Sequence, residues 1–72
     1  MNNLLIYGAY GYTGRLIVKE CLKQGIKPII AGRSPEKAMT FANKHGLEYD
    51  VFEVSNREKL ENWLRRGDVV IH

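Results

Sequence analysis

The chain has a single cysteine, Cys21, so no disulfide can form within it. A lone thiol fits a reducing compartment better than an oxidising one. Met1-Asn2-Asn3 lacks the basic start of a secretory leader. No apolar run approaches the ~20 residues that span a bilayer. A cytoplasmic protein with no membrane segment is therefore expected. Histidine is scarce too: His45 and His72, together with Cys21, form no cluster at metal-ligand spacing, so no metal site is expected. Repeats, low-complexity tracts and linkers are absent, and 72 residues leave no room for a second domain. The excess of cations is small, with eleven Lys and Arg against eight Asp and Glu for a formal charge of +3. These cations are scattered, which argues against nucleic acid as a partner. A mild positive field still favours a phosphorylated ligand.

What is present is a regular alternation. Asn3–Tyr7, "NLLIY", is a short continuous apolar run, as expected of a strand buried on both faces. Positions 14, 17, 18, 21 and 22 then carry Gly, Ile, Val, Cys and Leu, the stripe of a helix with one buried side, and Gly25 stands where that helix would close. Lys27–Ala31 reads as a second strand entered through Pro28. Ser34 is a good N-cap, Pro35 suits the first helical position and Glu36 the positive end of the dipole. The stripe of this second helix is Ala38, Phe41, Ala42 and His45, and Gly46 ends it. Glu48–Val54, "EYDVFEV", reads as a third strand. Ser55 to Glu58 reads as a capping box opening a helix that buries Leu60, Trp63 and Leu64, with Arg57–Glu61 and Glu61–Arg65 pairs on its outer side. Gly67 ends it, and Asp68–His72 is a fourth strand.

The order βαβαβαβ predicts an α/β fold with a parallel sheet and right-handed crossovers. The first two helices fall on one face and the third crosses back, so the strand order is 3-2-1-4. One helix cannot cover that second face, and Val69-Val70-Ile71 forms an apolar edge without charge. Dimerisation through this edge, or marginal stability, is expected.

The motif that carries chemistry is "GAYGYTG", residues 8–14, between the first strand and the first helix. In that setting each glycine has a distinct task. Gly8 turns the chain off the strand. Gly11 lets a pyrophosphate approach the backbone, and Gly14 lets the helix pack against the strand. The N–H groups of Tyr12 and Thr13, with the Thr13 hydroxyl, then face the phosphates at the positive helix end. Tyr10 lines the site or lies over it. At the end of the second strand, where an NAD-specific fold carries Asp or Glu for the ribose 2′-hydroxyl, this chain has Gly32-Arg33-Ser34. A guanidinium and a helix-capping hydroxyl suit a 2′-phosphate, with Lys37 in reach, so NADP is the expected cofactor. Glu53 and Val54, at the end of the third strand, lie where the adenine amino group would be met.

"GAYGYTG", "AGRS" and "FEVSNREKL" together resemble the NADP-binding domain of the saccharopine dehydrogenase-like reductases, a group that includes trans-acting enoyl reductases. The pattern is also similar to extended and atypical short-chain dehydrogenases. The resemblance implies a partial Rossmann-type doubly wound sheet and NADP(H) binding. It places Gly8, Gly11, Tyr12, Thr13 and Gly14 at the pyrophosphate, and Arg33 and Ser34 at the 2′-phosphate. It covers the whole chain but only the amino-terminal part of that cofactor domain. Glu53 stands where the related pattern has Asp.

No catalytic residue is expected. None of Tyr7, Tyr10, Tyr12 or Tyr49 has Lys four positions on, so the Tyr-x-x-x-Lys pair of short-chain dehydrogenases is missing. His45 and His72 read as structural, Trp63 as core and Cys21 as an inert buried thiol. Three readings remain. They are the cofactor-binding piece of an NADP-dependent oxidoreductase, a non-catalytic dinucleotide sensor, and a structural fragment with no strong ligand.

Overall fold

The computed structural model describes residues 4–71. Seven elements follow one another: β1 (Leu4–Tyr7), α1 (Tyr12–Lys23), β2 (Ile29–Gly32), α2 (Pro35–His45), β3 (Tyr49–Val51), α3 (Arg57–Arg66) and β4 (Asp68–Ile71). The expected Asn3 start of the first strand and His72 end of the fourth lie outside the described residues.

The four strands form one parallel sheet in the order β3-β2-β1-β4. β1 is central, with Leu5 opposite Ile29 on one side and opposite Val69 on the other. Alternate residues of a strand face opposite ways, and the core divides accordingly. Ile6 and Ile30 pack with Val18, Phe41, Ala42 and Leu47 beneath α1 and α2. Leu5 and Ala31 pack with Phe52 and Trp63 beneath α3. The sheet is thus covered by two helices on one face and one on the other, as the crossover rule requires.

Helix ends follow the sequence closely. After α1, Gly25 adopts φ +79°, and the N–H of Ile26 donates to the Cys21 carbonyl at 2.8 Å while that of Gly25 donates to Leu22 at 3.1 Å. This pair of bonds satisfies two carbonyls that the helix leaves open. At the start of α2 the Ser34 hydroxyl accepts from the Lys37 N–H at 3.4 Å, with Pro35 at the first position.

The second half of the chain departs from expectation in several places. β3 is three residues long, and Glu53 and Val54 lie in a turn beyond it. The N–H of Phe52 still bonds Gly32 at 3.0 Å, but the Asn56 N–H then donates to the Glu53 carbonyl at 2.8 Å and turns the chain into α3. The cap of α3 is Asn56, whose side chain accepts from the Lys59 N–H, and not Ser55. β2 begins at Ile29 and ends at Gly32, two residues later at its start and one at its end than Lys27–Ala31.

Asp50 explains much of how α3 sits. It stands on the α3 face of β3 and accepts from Trp63 Nε1 at 2.7 Å, from Lys59 Nζ at 3.2 Å (3.0 Å to the second oxygen) and from the Val51 N–H at 2.9 Å. Burial alone would raise the Asp50 pKa, but the bonds from Trp63 and Lys59, the Lys59 charge and the Val51 N–H outweigh it and hold the carboxyl below its usual value. With Trp63 fixed toward the sheet, Leu64 lies about 100° further round the helix, and it is 55% exposed rather than buried. The expected Arg57–Glu61 and Glu61–Arg65 pairs are not formed among the described residues. Arg65 instead donates to the Asn62 side chain at 3.4 Å, and Arg66 stacks over Trp63 at 4.0 Å. His45 is half-buried against the Phe41 ring.

Candidate functional site

The carboxyl ends of β1 and β2 carry the residues singled out above, on the side of the sheet where open α/β folds bind ligands. The three glycines of the β1–α1 turn are there for three different reasons. Gly8 has φ +81°, a conformation that side chains with a Cβ rarely adopt, and its N–H donates to the Ala31 carbonyl at 2.9 Å, which ties the turn to β2. Gly14 is buried, and a Cβ there would meet the Ala9 backbone at 2.6–2.8 Å. Backbone atoms in a packed turn cannot step aside. Gly11 has no such constraint, because its φ is −76° and a Cβ would meet nothing within 4 Å. The chain itself gives no reason for glycine at this position; a group from outside approaching the backbone would.

Gly11 is also the N-cap of α1, and no side chain caps it. The first helical bond runs from the Arg15 N–H to the Gly11 carbonyl at 2.9 Å. Tyr12, Thr13 and Gly14 therefore keep amide N–H groups with no partner inside the helix. The other two helices hold an acid in their first turn, Glu36 and Glu58, whereas α1 has none. Tyr12 and Thr13 are exposed on this end. The arrangement offers donors and positive potential to an anion at the edge of the sheet.

Tyr10 bridges the two strand ends. Its ring reaches over β2, and a Cβ at Gly32 would overlap the Tyr10 hydroxyl. That hydroxyl is buried without a hydrogen-bond partner. Arg33 is exposed at the tip of β2, and the Ser34 hydroxyl is engaged as the cap of α2, though its proton remains free to donate. Glu53 and Val54 are exposed in the turn after β3 and no longer form a strand end.

A groove of ≈ 410 Å³ opens between the first turn of α1 and the length of α2, lined by Tyr10, Arg15, Glu36, Lys37, Phe41 and Lys44. Arg15 was not among the sequence candidates. It follows the last glycine of the motif directly, but its meeting with α2 depends on helix packing that no local spacing reveals. Arg33 does not line this groove. Among the described residues no group of three or more His, Cys, Asp or Glu could hold a metal ion. No helix among them is long and apolar enough to cross a membrane.

A parallel sheet of order 3-2-1-4, a glycine turn off its central strand and an uncapped helix at its carboxyl edge define the class of Rossmann-type dinucleotide-binding units. Residues 8–72 match the family described as NAD(P)H-binding, and the chain belongs to that family. Its cofactor class is a nicotinamide dinucleotide. A curated relative, dTDP-6-deoxy-L-talose 4-dehydrogenase (NAD(+)) of Aggregatibacter actinomycetemcomitans, is 38% identical over 71 residues, which cover 97% of this chain and 26% of the relative. The chain thus spans about a quarter of that relative's length. No solved structure matches it significantly.

Proposed function

We propose that this chain is the amino-terminal, cofactor-holding part of an NADP-dependent oxidoreductase, and that it binds the ADP-ribose and pyrophosphate portion of NADP(H). Gly11 is the observation that carries this reading. A residue with open space on its Cβ side, at an uncapped helix start, is where a pyrophosphate would rest against backbone N–H groups. Gly8 and Gly14 shape the turn, Tyr12 and Thr13 supply donors, and Tyr10 forms a wall toward the ribose.

The 2′-phosphate preference rests on charge. β2 ends at Gly32 and is followed by Arg33 and Ser34 with no carboxylate among them, and the first turn of α2 carries Lys37 beside a single acid, Glu36. The same stretch underlies the resemblance to saccharopine dehydrogenase-like reductases. One observation favours a second reading, NAD in place of NADP, because the curated relative's name carries NAD(+). Titration calorimetry with NADPH and NADH decides. A charge-assisted contact to the 2′-phosphate contributes about 1.5–3 kcal/mol, so NADPH should bind at least about tenfold more tightly. Equal affinities favour the NAD reading, and binding of neither favours a structural fragment.

A further inference from the structure

The outer side of α1 shows water two large apolar side chains one turn apart. Tyr12 is 72% exposed and Leu16 49%. Both line a second groove, ≈ 470 Å³, that runs between α1 and α2 as far as Leu22 and His45. Its cations are Arg15, Lys19 and Lys44, and no carboxylate lines it. Arg15 and Lys44 also line the groove described above, so the two form one trough. The trough holds four cations, Arg15, Lys19, Lys37 and Lys44, against one carboxylate, Glu36. The whole chain has eleven cations and eight carboxylates, so seven of each are left elsewhere and the trough carries the entire formal net charge. None of its four cations makes a side-chain hydrogen bond or ion pair among the described residues.

This combination limits what can sit there. A small anion would neutralise the cations but leave Tyr12 and Leu16 in water. A single-stranded nucleic acid needs a line of cations with several aromatic platforms for its bases, whereas the apolar wall here is chiefly aliphatic, Leu16 and Leu22. An acidic amphipathic helix satisfies both demands. Apolar residues at i, i+3, i+4 and i+7 would cover Leu16, Leu22 and the Tyr12 ring, and carboxylates beside that stripe would meet Arg15, Lys19 and Lys44. Its length fits as well, since Tyr12 to Leu22 is ten positions of α1, or about 15 Å, close to three turns. Tyrosine and arginine are also the side chains that most often dominate the energy of an interface.

We propose that the trough between α1 and α2 is a docking surface for an acidic amphipathic helix of a partner protein. Leu16 is its apolar centre, and Arg15, Lys19 and Lys44 fix the partner's orientation and speed its approach. The attraction weakens as salt screens it. The proposal does not depend on dinucleotide binding, and its test does not use it.

The experiment titrates the full chain into a fluorescein-labelled synthetic helix of about four turns, ~14 residues, with leucines in a single stripe and glutamates on both sides of it. Anisotropy is followed. The controls are the same composition scrambled so that the stripe is lost, an oligonucleotide of single-stranded DNA, and vesicles of anionic phospholipid. The striped peptide should bind at least about tenfold more tightly than the scrambled one. Leu16→Glu should weaken it by about tenfold or more, and the double variant Lys19→Glu/Lys44→Glu should do the same. Arg57→Glu, one such charge reversal on α3 across the sheet, should leave it within about twofold, because screening confines the effect of a distant exposed charge. Circular dichroism checks each fold. The positions are exposed, and should Leu16→Glu fail to fold, the double variant carries the test. Equal binding of striped and scrambled peptides, no binding of either, or insensitivity to both groove variants overturns the proposal. Tighter binding of the DNA or of the vesicles than of the striped peptide overturns it too, and assigns the trough to that class instead.

Discussion

Two alanine substitutions three residues apart should separate folding from binding. At Gly14 the new Cβ would lie 2.6 Å from Ala9 Cα and 2.7–2.8 Å from its carbonyl atoms. These are backbone atoms of the turn that Gly8 ties to β2, so relief requires α1 to lift from β1. Overpacking of this kind costs about 3 kcal/mol, and alanine's better helix propensity returns up to ~1 kcal/mol. The net loss is about 2 kcal/mol. In a domain of this size that corresponds to a fall in melting temperature of roughly 8–16 °C. At Gly11 the Cβ enters open space. There the expected cost is only that of replacing glycine by alanine at an N-cap, ~1 kcal/mol or less, while NADPH binding should be lost. Thermal melts followed by circular dichroism, paired with calorimetry, give both numbers for each variant. Gly14→Ala melting within 2 °C of the parent, a threshold far inside the roughly 8 °C minimum estimated from the melting scale, would refute the packing argument. Tight NADPH binding by Gly11→Ala, or by the bulkier Gly11→Val, would refute the role of Gly11.

Three further outcomes follow from other parts of the molecule. Asp50 has its pKa held below the ordinary 3.8, so the stability it contributes is fully present above that value and is lost as pH falls through the lowered folded value. Urea midpoints of the parent should therefore fall below pH 4 more steeply than those of Asp50→Asn, and parallel curves would show that the carboxylate is not coupled to folding. Ile71 is 53% exposed and Val70 36% exposed on a strand paired only to β1 among the described residues. We expect the chain to self-associate through this edge and Val70→Lys to weaken that association in sedimentation equilibrium; a parent that stays monomeric at ~100 μM, well within the range where exposed edges associate, contradicts this. The isolated chain should show no NADPH oxidation with enoyl or imine substrates, since it positions no proton donor beside a substrate; turnover above buffer would disprove this.

The first half of the fold was legible because its signals are local. The stripe from Gly14 to Leu22, the Ser34-Pro35 start and the closing glycines each act within one or two turns of chain, and they fix elements whose register then follows from the crossover rule. The sheet order was legible for the same reason. The errors lie where a distant partner decides. Trp63 and Leu64 are equally apolar in sequence, and only the bond from the Trp63 indole to Asp50 on β3 determines which of them faces the sheet. Ser55 and Asn56 are both good caps, and the turn from Glu53 to Asn56 selects the second. The turn at Gly8 and the close packing of α1 at Gly14 were legible because backbone conformation at the one and the Ala9 backbone at the other leave glycine as the residue that fits. That Arg15 lines a groove with Lys37 and Lys44 was not legible, because their meeting depends on α2 lying beside α1.

The seat of the Tyr10 hydroxyl over Gly32 bears on how cofactor preference could change, whether by selection or by engineering. The usual exchange between the two nicotinamide cofactors is made at the tip of the second strand, by introducing or removing an acid there. In this chain any side chain at position 32 displaces the Tyr10 ring, because its Cβ would overlap the Tyr10 hydroxyl. Positions 10 and 32 are thus coupled, although they lie 22 positions apart in the sequence. An acid at 32 would act twice, once by its own charge and once by the tyrosine it evicts. Its effect should be non-additive with a small residue at position 10, and a route between cofactors that changes position 10 first avoids an intermediate with an obstructed site.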